Sequence, residues 1–558
     1  MKPPERRMDW RRIEGVLAVV AVVSCLGDAA RAQAPPAAPE PGVFGETVDV
    51  RVVNIEVVVT DKKNERATGL VASDFRLKVD GKELPIEFFS EVRGGEAVEV
   101  GVGGTVQGMP EVVAGTQVGT SYLVFVDDFF SIQRDRDRVL RGFIAGLGAL
   151  GPEDRMAIVA WDGRKLEMLS TWSQSLPQLE RAFQAGMKRP AFGLQRQVER
   201  QSNDRDERLR PRDNVFGSRL GGRLDASQLF YAERLADQVQ SSVGAAAATL
   251  RSFAAPPGRK VMLLLSGGWP YSPAEFSSSE PNRPVLEPGM PAGDALFRPL
   301  ADNANVLGYT LYPVDVPGLV GDGADASEGN LDEATAAAGN NRNREQEVQV
   351  SLTFLARETG GKALINANRD QVLTAVASDT RSYYWLGFTP TLKGDDRRHQ
   401  VEVEVLRPGL KVRSREDFQD VSRTRQVSMR VESALLFGNP PSALALPITI
   451  GKPTKAGIGT MRVPLTLSIA ADAITMIQLG DEYVAEMELR VAALDDNGRR
   501  SEIPVIPFRI TALQPPQPGQ VVRYDTALEL RKDRQEIVVA VLDVASGNML
   551  SATAEVSP

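Results

Sequence analysis

The amino-acid sequence predicts an α/β domain with a doubly wound sheet, flanked by antiparallel β units and followed by a β-sandwich. In the middle of the chain, short apolar runs alternate with helical spacings, a pattern typical of a parallel sheet covered by helices on both faces. Before and after that middle part, apolar and polar residues alternate with a period of two, which indicates antiparallel strands. A chain of 558 residues is also too long for one core, so several domains are expected.

The composition excludes several classes of function. With 42% apolar and 25% charged residues the chain resembles an ordinary globular protein, and a net charge of −8 gives no basis for nucleic acid as a partner. The only histidine, His399, lies in a charged segment ahead of a predicted strand, where an exposed loop residue is expected rather than the base of a Ser-His-Asp hydrolase. No GxxxxGK[ST] motif is present.

The N-terminus predicts export. Four arginines precede an apolar run from Val16 to Val23, and Ala30-Arg31-Ala32 offers a cleavage site, so residues 1–32 are expected to be a secretory signal peptide and residues 33–45 a Pro/Ala linker. The only cysteine, Cys25, lies in a lipobox-like segment, so lipid anchoring there is the alternative. Cleavage after Ala32 is preferred because the apolar run is short. The expected location is periplasm, cell surface or medium, with no transmembrane segment in the mature chain.

Residues 46–100 predict a small antiparallel β unit. Alternation from Val48 to Val59 slips by one residue, as at a β-bulge, and Asp80-Gly81 marks a tight hairpin. A unit of this size cannot close a core alone. We therefore expect it to pair with strands from residues 380–418, where alternation returns at Val401, Val403 and Val405.

Residues 120–390 predict the α/β domain. Predicted strands are Tyr122–Val126, Met156–Trp161, Leu166–Leu169, Val261–Leu265, Tyr309–Val314, Ala363–Ile365 and Tyr383–Phe388. Predicted helices are Val139–Leu150, Pro177–Met187, Leu229–Phe253, Ala295–Val306, Val350–Thr359 and Asp370–Ser378. Two insertions, residues 188–224 and 317–347, contain few large apolar residues and are expected to be mobile loops. The arginines of the first insertion form either a partner-binding patch or a solvated surface. The acidic residues of the second insertion lack the spacing of a calcium-binding loop.

The final part of the chain, residues 426–558, predicts a β-sandwich. Val463, Leu465, Leu467 and Ile469 alternate with other residues, and a similar alternation runs from Tyr483 to Val491. Many short alternating strands separated by Pro/Gly turns are typical of two packed sheets.

Asp127, Asp128 and Ser131 directly follow the first strand of the α/β domain. An open α/β sheet binds its ligands at the carboxyl ends of its strands. Two carboxylates and a hydroxyl at that edge suit a divalent cation with hard oxygen ligands. The alternative is a solvated turn with a helix cap.

Six segments, in this order, resemble secreted von Willebrand factor A-related proteins of acidobacterial type, and together they cover roughly residues 46–418. They are VVVTDKKNERATGLVASDFRLKVDGKELPIEFFSEV, YLVFVDDFFS, MAIVAWDGRKLEMLSTWS, ANVLGYTLYPVDVPG, LARETGGKALINAN and RSYYWLGFTP. The resemblance implies a Rossmann-like von Willebrand factor A domain for residues 120–390.

The resemblance also implies a metal-ion-dependent adhesion site, whose first loop is Asp-x-Ser-x-Ser. This chain keeps Asp127 and Ser131 but has Phe129 at the middle serine, and Ser266 replaces the third-loop aspartate. Asp128 or Asp162 would have to compensate. The expectation is a degenerate Mg²⁺ or Ca²⁺ site formed by Asp127, Ser131, Asp128, Asp162 and Ser266.

An exported, non-enzymatic binding protein is the expected function, with protein–protein interaction or adhesion through the carboxyl edge of the sheet. Phe129 and Phe130 are expected either to contact the partner or to pack in the core. A haloacid dehalogenase-type phosphatase using Asp127 is one alternative, but it needs an acid two residues after its nucleophile, and Phe129 or Phe130 stands there. A metal-free scaffold in an envelope complex is the other.

Overall fold

The computed structural model describes residues 52–100, 115–208, 224, 226–253, 258–278, 289–317, 331–391, 393–437, 441–495, 501–515, 517 and 519–557. The chain divides into two compact units, Gly45–Phe437 and the segment from Gly438 to Pro558 together with the N-terminal residues. The predicted signal peptide, Cys25 and the linker lie outside the described residues. Among the helices described, none is long and apolar enough to span a lipid bilayer.

The first unit begins with five strands. They are β1 (Val53–Thr60), β2 (Phe75–Val79), β3 (Lys82–Leu84), β4 (Phe88–Arg93) and β5 (Glu96–Val100). Asp80 and Gly81, which join β2 to β3, have φ values of 50° and 76°. Two consecutive positive φ values define the tight hairpin turn that Asp-Gly favours, so this predicted turn is confirmed.

The chain then builds an α/β layer structure. Its elements are β6 (Thr120–Asp127), α1 (Gln133–Gly146), β7 (Arg155–Trp161), β8 (Leu166–Ser173), α2 (Leu176–Lys188), α3 (Gly193–Arg208), α4 (Ala226–Ser252), β9 (Arg259–Ser266), α5 (Pro273–Ser277), α6 (Asp294–Leu307), β10 (Tyr309–Asp315), α7 (Leu331–Glu358) and α8 (Val372–Thr380). The sheet has the order β10-β9-β6-β7-β8. Its first four strands are parallel, and β8 runs antiparallel to β7.

The middle strand β6 is buried on both faces. Leu123 and Phe125 pack with residues of α4 and α6, whereas Tyr122, Val124 and Val126 pack with residues of α1, α2 and α8. Alternate side chains of one strand therefore enter two separate cores, which is why its sequence is apolar without interruption. The sheet is doubly wound, as predicted.

A second pair of sheets completes this unit. Its remaining elements are β11 (Tyr383–Phe388), β12 (Arg398–Val405), β13 (Lys411–Arg413), β14 (Asp417–Gln419) and the helix α9 (Arg423–Phe437). One sheet has the order β13-β1-β11-β4-β5 and the other β14-β12-β2-β3. Val59 lies opposite Val412, and Val79 lies opposite Val401. The segments before and after the α/β sheet thus share one apolar core, and we call this pair of sheets the β body.

The sequence analysis assigns Tyr383–Phe388 both to the α/β domain and to the strands that pair with the N-terminal β unit, and the structure confirms the second assignment. This strand, β11, lies between β1 and β4 and is antiparallel to both. Its inward residues Tyr384, Leu386 and Phe388 belong to the core of the β body. A run of apolar residues looks the same in either sheet, so the sequence pattern could not choose. The predicted strand Ala363–Ile365 is reduced to one bridge between Leu364 and Val314.

The two insertions were predicted to be loops, but both contain helix. Helix α3 occupies much of the first, and α7 extends back to Leu331 in the second. Arg344 of α7 pairs with Asp204 of α3 through two hydrogen bonds of 2.9 and 2.7 Å. This ion pair links the two insertions to each other. Residues 209–223 and 318–330 lie outside the described part of the chain.

The second unit contains the remaining ten strands described. They are β15 (Leu444–Ala445), β16 (Ile448–Ile450), β17 (Thr454–Lys455), β18 (Thr460–Ala470), β19 (Ile477–Leu479), β20 (Glu482–Asp495), β21 (Val505–Ala512), β22 (Val521–Arg531), β23 (Gln535–Asp543) and β24 (Met549–Val556). They form two sheets, β15-β24-β23-β20-β19 with β21 beside β20, and β16-β18-β17 with β22 beside β18. Both sheets contribute to one core. The predicted boundary at residue 426 was wrong, because α9 belongs to the first unit.

Candidate functional site at the carboxyl edge of the sheet

Asp127 and Ser266 end two neighbouring parallel strands. Val126 of β6 lies opposite Leu265 of β9, so the next residue of each strand emerges at the same edge. Asp127, Asp128, Ser131 and Ser266 are all fully buried. The sequence therefore located these four residues together, but solvent does not reach them.

The Asp127 carboxylate accepts hydrogen bonds from three N–H donors. Oδ1 accepts from the backbone N–H groups of Phe129 at 3.1 Å and Phe130 at 3.2 Å. Oδ2 accepts from the indole Nε1–H of Trp269 at 2.7 Å. Burial, with the nearby charge of Asp128, raises the pKa of Asp127 to about 7 in spite of these donors. The carboxylate is held inside the protein rather than presented at its surface.

Asp128 is engaged in a buried ionic cluster. Its Oδ1 accepts from Arg136 Nη1 at 2.7 Å, and its Oδ2 accepts from Arg189 Nε at 2.8 Å. Arg136 is itself fully buried and also donates to the carbonyl oxygens of Met187 and Arg189. Burial raises the pKa of Asp128, although the two arginines act in the opposite direction. This cluster ties the first turn of α1 to the end of α2.

Asp162, Ser266 and Ser131 differ in how their oxygens are used. Asp162 Oδ1 accepts from the backbone N–H groups of Arg164 and Lys165, both at 2.8 Å, and so closes the turn after β7. Ser266 Oγ accepts from Gly268 N–H at 3.3 Å. Ser131 Oγ is buried and has no hydrogen-bond partner.

The residues present do not fit the Mg²⁺ or Ca²⁺ site that the resemblance implies. A hard dication needs six or more oxygen ligands with free lone pairs, several of them charged. Here the Asp127 oxygens face N–H groups, and Asp128 is paired with two guanidinium groups. Ser131 Oγ is the one oxygen of the five residues with an unmet hydrogen-bonding demand. The indole N–H of Trp269 is bonded to Asp127 Oδ2, the oxygen that a cation would need as a ligand.

Helix α3 begins directly on this edge and closes it. Phe192 N–H donates to the carbonyl oxygen of Asp128 at 2.8 Å, and Gly193 N–H donates to that of Ser131 at 2.9 Å. A Cβ atom on Gly193 would lie 2.4 Å from the Phe130 carbonyl oxygen, and one on Gly267 would lie 2.2 Å from the Phe130 carbonyl carbon. Only glycine permits these backbone approaches.

The two phenylalanines of the edge have different environments. Phe130 is 7% exposed and belongs to the core on one face of the sheet. Phe129 is half-buried, and the guanidinium carbon of Arg196 lies 4.7 Å from its ring centre. The expected core packing is therefore present for Phe130, whereas α3 covers Phe129.

Sequence reasoning missed the residues that engage the aspartates. Trp269 lies 142 positions after Asp127, and Arg189 lies 61 positions after Asp128. One signal was available, since Trp269 follows β9 in the segment Ser266-Gly267-Gly268-Trp269 and strand ends meet at this edge. No pattern in the sequence indicated that α3 would cover the site.

Comparisons with known proteins add little to this geometry. No protein-family model matches the chain, and no curated protein matches it. A solved structure to which it is similar is the crystal structure of the pilus adhesin SpaC from Lactobacillus rhamnosus GG, at 8% sequence identity and a TM-score of 0.25. The similarity covers 87% of this chain and 73% of the adhesin chain. A TM-score of this size does not support a shared fold.

Proposed function

We propose that the chain is an exported, non-enzymatic binding protein of the von Willebrand factor A type. It would contact another protein through the surface that covers the carboxyl edge of the α/β sheet. The observation that carries this proposal is the enclosed Asp127 carboxylate, which is fully buried and bonded to three N–H donors. An edge sealed in this way can act through its outer surface and not through its carboxylate.

The enclosure of Asp127 also weighs against the phosphatase alternative. A nucleophilic carboxylate must reach the phosphorus of its substrate with a free oxygen. Both oxygens of Asp127 are engaged, and the pKa near 7 reduces the ionised fraction at neutral pH. The second acid that such a phosphatase needs two residues after its nucleophile is also absent, because Phe129 stands there.

Helix α3, which covers the carboxyl edge, and helix α4, which it contacts, expose large apolar side chains. Leu194 and Val198 lie one turn apart on α3 and are 62% and 56% exposed, and Phe230 on α4 is 66% exposed. Arg234 of α4 connects the two helices, since its Nη2 lies 3.8 Å from Glu199 Oε2 of α3. Its guanidinium carbon also lies 6.0 Å from the ring centre of Phe230 on its own helix. We call Leu194, Val198 and Phe230 the edge surface. Exposed apolar groups with a polar rim are typical of protein-binding surfaces.

The test compares capture of exported proteins by the parent chain and by a Leu194→Asp/Val198→Asp variant. A specific partner should be retained by the parent protein and lost from the variant, because a charge placed in an apolar contact must be desolvated. Leu406→Asp is the matched control, since Leu406 is 49% exposed but lies on the β body. Equal capture by all three proteins would reject the edge surface as the contact.

The phosphatase alternative is tested separately. Turnover of an aryl phosphate by the parent protein that disappears in Asp127→Asn would overturn the non-enzymatic proposal. We expect equal background hydrolysis from both proteins.

A further inference from the structure

A second group of ligand-type side chains lies in the β body, away from the carboxyl edge. Asp395, His399 and Asp420 each place one ligand atom so that the three atoms lie within 4.8 Å of one another. His399 is in the second position of β12, and Asp420 directly follows β14. The two strands pair, with His399 opposite Phe418, so the sheet itself brings this group together.

His399 is held in a defined orientation. Its ring stacks on Phe418 with a centroid distance of 5.1 Å. Its Nδ1 lies 2.8 Å from Asp80 Oδ2 in the hairpin turn between β2 and β3. With Nδ1 engaged by a carboxylate, Nε2 is the nitrogen left to bind a ligand. Metal-binding histidines are commonly oriented by a carboxylate in this way.

Asp420 gives an independent indication that this group of residues binds a ligand. The residue is 2% exposed, and its Oδ2 accepts from the backbone N–H groups of Lys393 at 2.6 Å and Gly394 at 2.8 Å. Its Oδ1 is also buried but has no hydrogen-bond partner. A buried carboxylate oxygen without a partner is costly, and a cation beside it would remove that cost.

Asp395 completes the group from the solvent side. It is exposed, its Oδ1 accepts from Arg397 N–H at 3.1 Å, and its Oδ2 lies 3.8 Å from Arg397 Nε. A contact of that length with an exposed arginine is weak. Asp395 can therefore turn toward a cation at little cost.

From this arrangement we infer that Asp395, His399 and Asp420 form a binding site for a transition-metal dication of the Zn²⁺ type. One imidazole nitrogen and two carboxylate oxygens are suitable ligands for Zn²⁺ and leave a fourth position for water or a partner's side chain. Ca²⁺ and Mg²⁺ prefer oxygen alone. The site is distinct from the five residues at the carboxyl edge and does not depend on the proposed function. A bound ion would join the loop before β12 to the end of β14.

The experiment titrates Zn²⁺ and Ca²⁺ into the full chain by calorimetry, in a Cys25→Ser background and without an oligohistidine tag. Because His399 is the only histidine, its Cε1–H gives a single imidazole NMR signal that reports the site directly. We expect one Zn²⁺ per chain and a shift of that signal. Asp80→Asn should weaken binding by about 10- to 100-fold, as for other residues that orient a metal ligand. His399→Gln and Asp420→Asn should weaken it further.

Asp127→Asn is the control, and it should bind Zn²⁺ like the parent chain. Three results would each overturn the inference: no stoichiometric Zn²⁺ binding, unchanged Zn²⁺ affinity in His399→Gln or Asp420→Asn, or Ca²⁺ binding as tight as Zn²⁺ and insensitive to His399→Gln. The last result would indicate a general acidic surface. Circular dichroism of each variant shows whether the fold is retained, and the imidazole signal of the parent protein answers the question without any variant.

Discussion

Asp127 ionises inside the protein, and this gives stability a pH dependence of defined sign. Burial raises its pKa from 3.8 to about 7, so between these values the folded state holds a proton that the unfolded state has released. Stability contributed by this group therefore falls as the pH rises through that window. From pH 5 to pH 7.5 we expect the parent protein to lose about 2–3 kcal/mol relative to Asp127→Asn.

Tryptophan fluorescence in urea measures this effect selectively. The chain has five tryptophans, and the four in the described residues, Trp161, Trp172, Trp269 and Trp385, all belong to the first unit. A difference between the parent protein and Asp127→Asn that stays constant with pH would contradict the raised pKa.

Trp269→Phe should expose a capacity for cation binding at the carboxyl edge. Removing the indole N–H leaves Asp127 Oδ2 without its donor. We expect a loss of about 1–3 kcal/mol in unfolding free energy, partly restored by millimolar Mg²⁺ or Ca²⁺. The measurement is the urea midpoint with and without each ion.

Trp172→Phe is the control for loss of a tryptophan, because Trp172 packs edge-on against Phe253 away from Asp127. Equal responses of the two variants to Mg²⁺ would show that Trp269 does not block a cation.

At the residue scale, the sequence located Asp127 and Ser266 correctly because strand ends follow from apolar runs. It could not supply their partners, since a hydrogen bond between residues 142 positions apart depends on how loops fold over the sheet. Asp128 shows the same limit. Its adjacency to Asp127 indicated a metal ligand, but Arg136 and Arg189 are its partners in the structure.

Among the elements, α3 depends on a backbone contact that a single methyl group would disturb. Gly193 approaches the Phe130 carbonyl oxygen so closely that a Cβ atom would lie 2.4 Å from it. Gly193→Ala should therefore loosen the start of α3 and expose the carboxyl edge. Hydrogen exchange of the α3 amides should rise by about tenfold or more, as expected for a local stability loss above 1.4 kcal/mol.

Gly148→Ala provides the matched control, because no atom lies within 4 Å of a Cβ built there and its φ is not positive. Unchanged exchange of α3 in Gly193→Ala would show that the helix does not depend on this approach.

The positions of helices and strands were easier to predict than the sheet to which each strand belongs. Helices α1, α2, α4 and α6 followed from helical apolar spacing, since each buries a stripe against the sheet. Helix α3 has few apolar residues and gave no such signal. Strand β11 was recognised, but its apolar run alone did not decide between the two sheets predicted for it, because strand pairing depends on residues far away in the sequence.

For the molecule as a whole, buried charges join the β body to the amino end of the α/β sheet. Arg259 is 1% exposed, and its Nε lies 2.9 Å from Glu56 Oε2 while its Nη1 donates to the Thr380 carbonyl oxygen at 2.7 Å. Asp379 accepts from Arg66 at 2.6 Å and from the Tyr312 hydroxyl at 2.7 Å. Burial opposes ionisation of Asp379, but Arg413 and Arg66 outweigh it and hold its pKa well below the usual range.

Removing one partner from this group should be costly. Glu56→Gln removes the carboxylate that lies 2.9 Å from the buried Arg259 guanidinium, and we expect a loss of about 3–5 kcal/mol. Glu404→Gln breaks the exposed pair with Lys78 and should change the free energy of unfolding far less, because solvent screens an exposed ion pair. Urea midpoints followed by tryptophan fluorescence compare the two variants. Similar losses for both would refute a special role for the buried pair.

The order of domains could be predicted because each change of periodicity marks a change of architecture. Their boundaries were less accurate, since α9 follows the β body without a compositional break at residue 426. The pairing of β1 with β13 and of β2 with β12 followed from the size argument alone, because neither segment has enough strands for its own core.

This pairing also determines how the first unit would respond to tension. The α/β sheet is inserted in the chain between β5 and β11. Strand β1 forms backbone hydrogen bonds with both β11 and β13. In both antiparallel pairs the carboxyl end of the partner strand lies toward the amino end of β1, so a pull on that end would peel β1 away one hydrogen bond at a time. At the other end of the unit, Glu432 of α9 pairs with Arg251 of α4 at 2.6 Å, so the inserted domain would share the load.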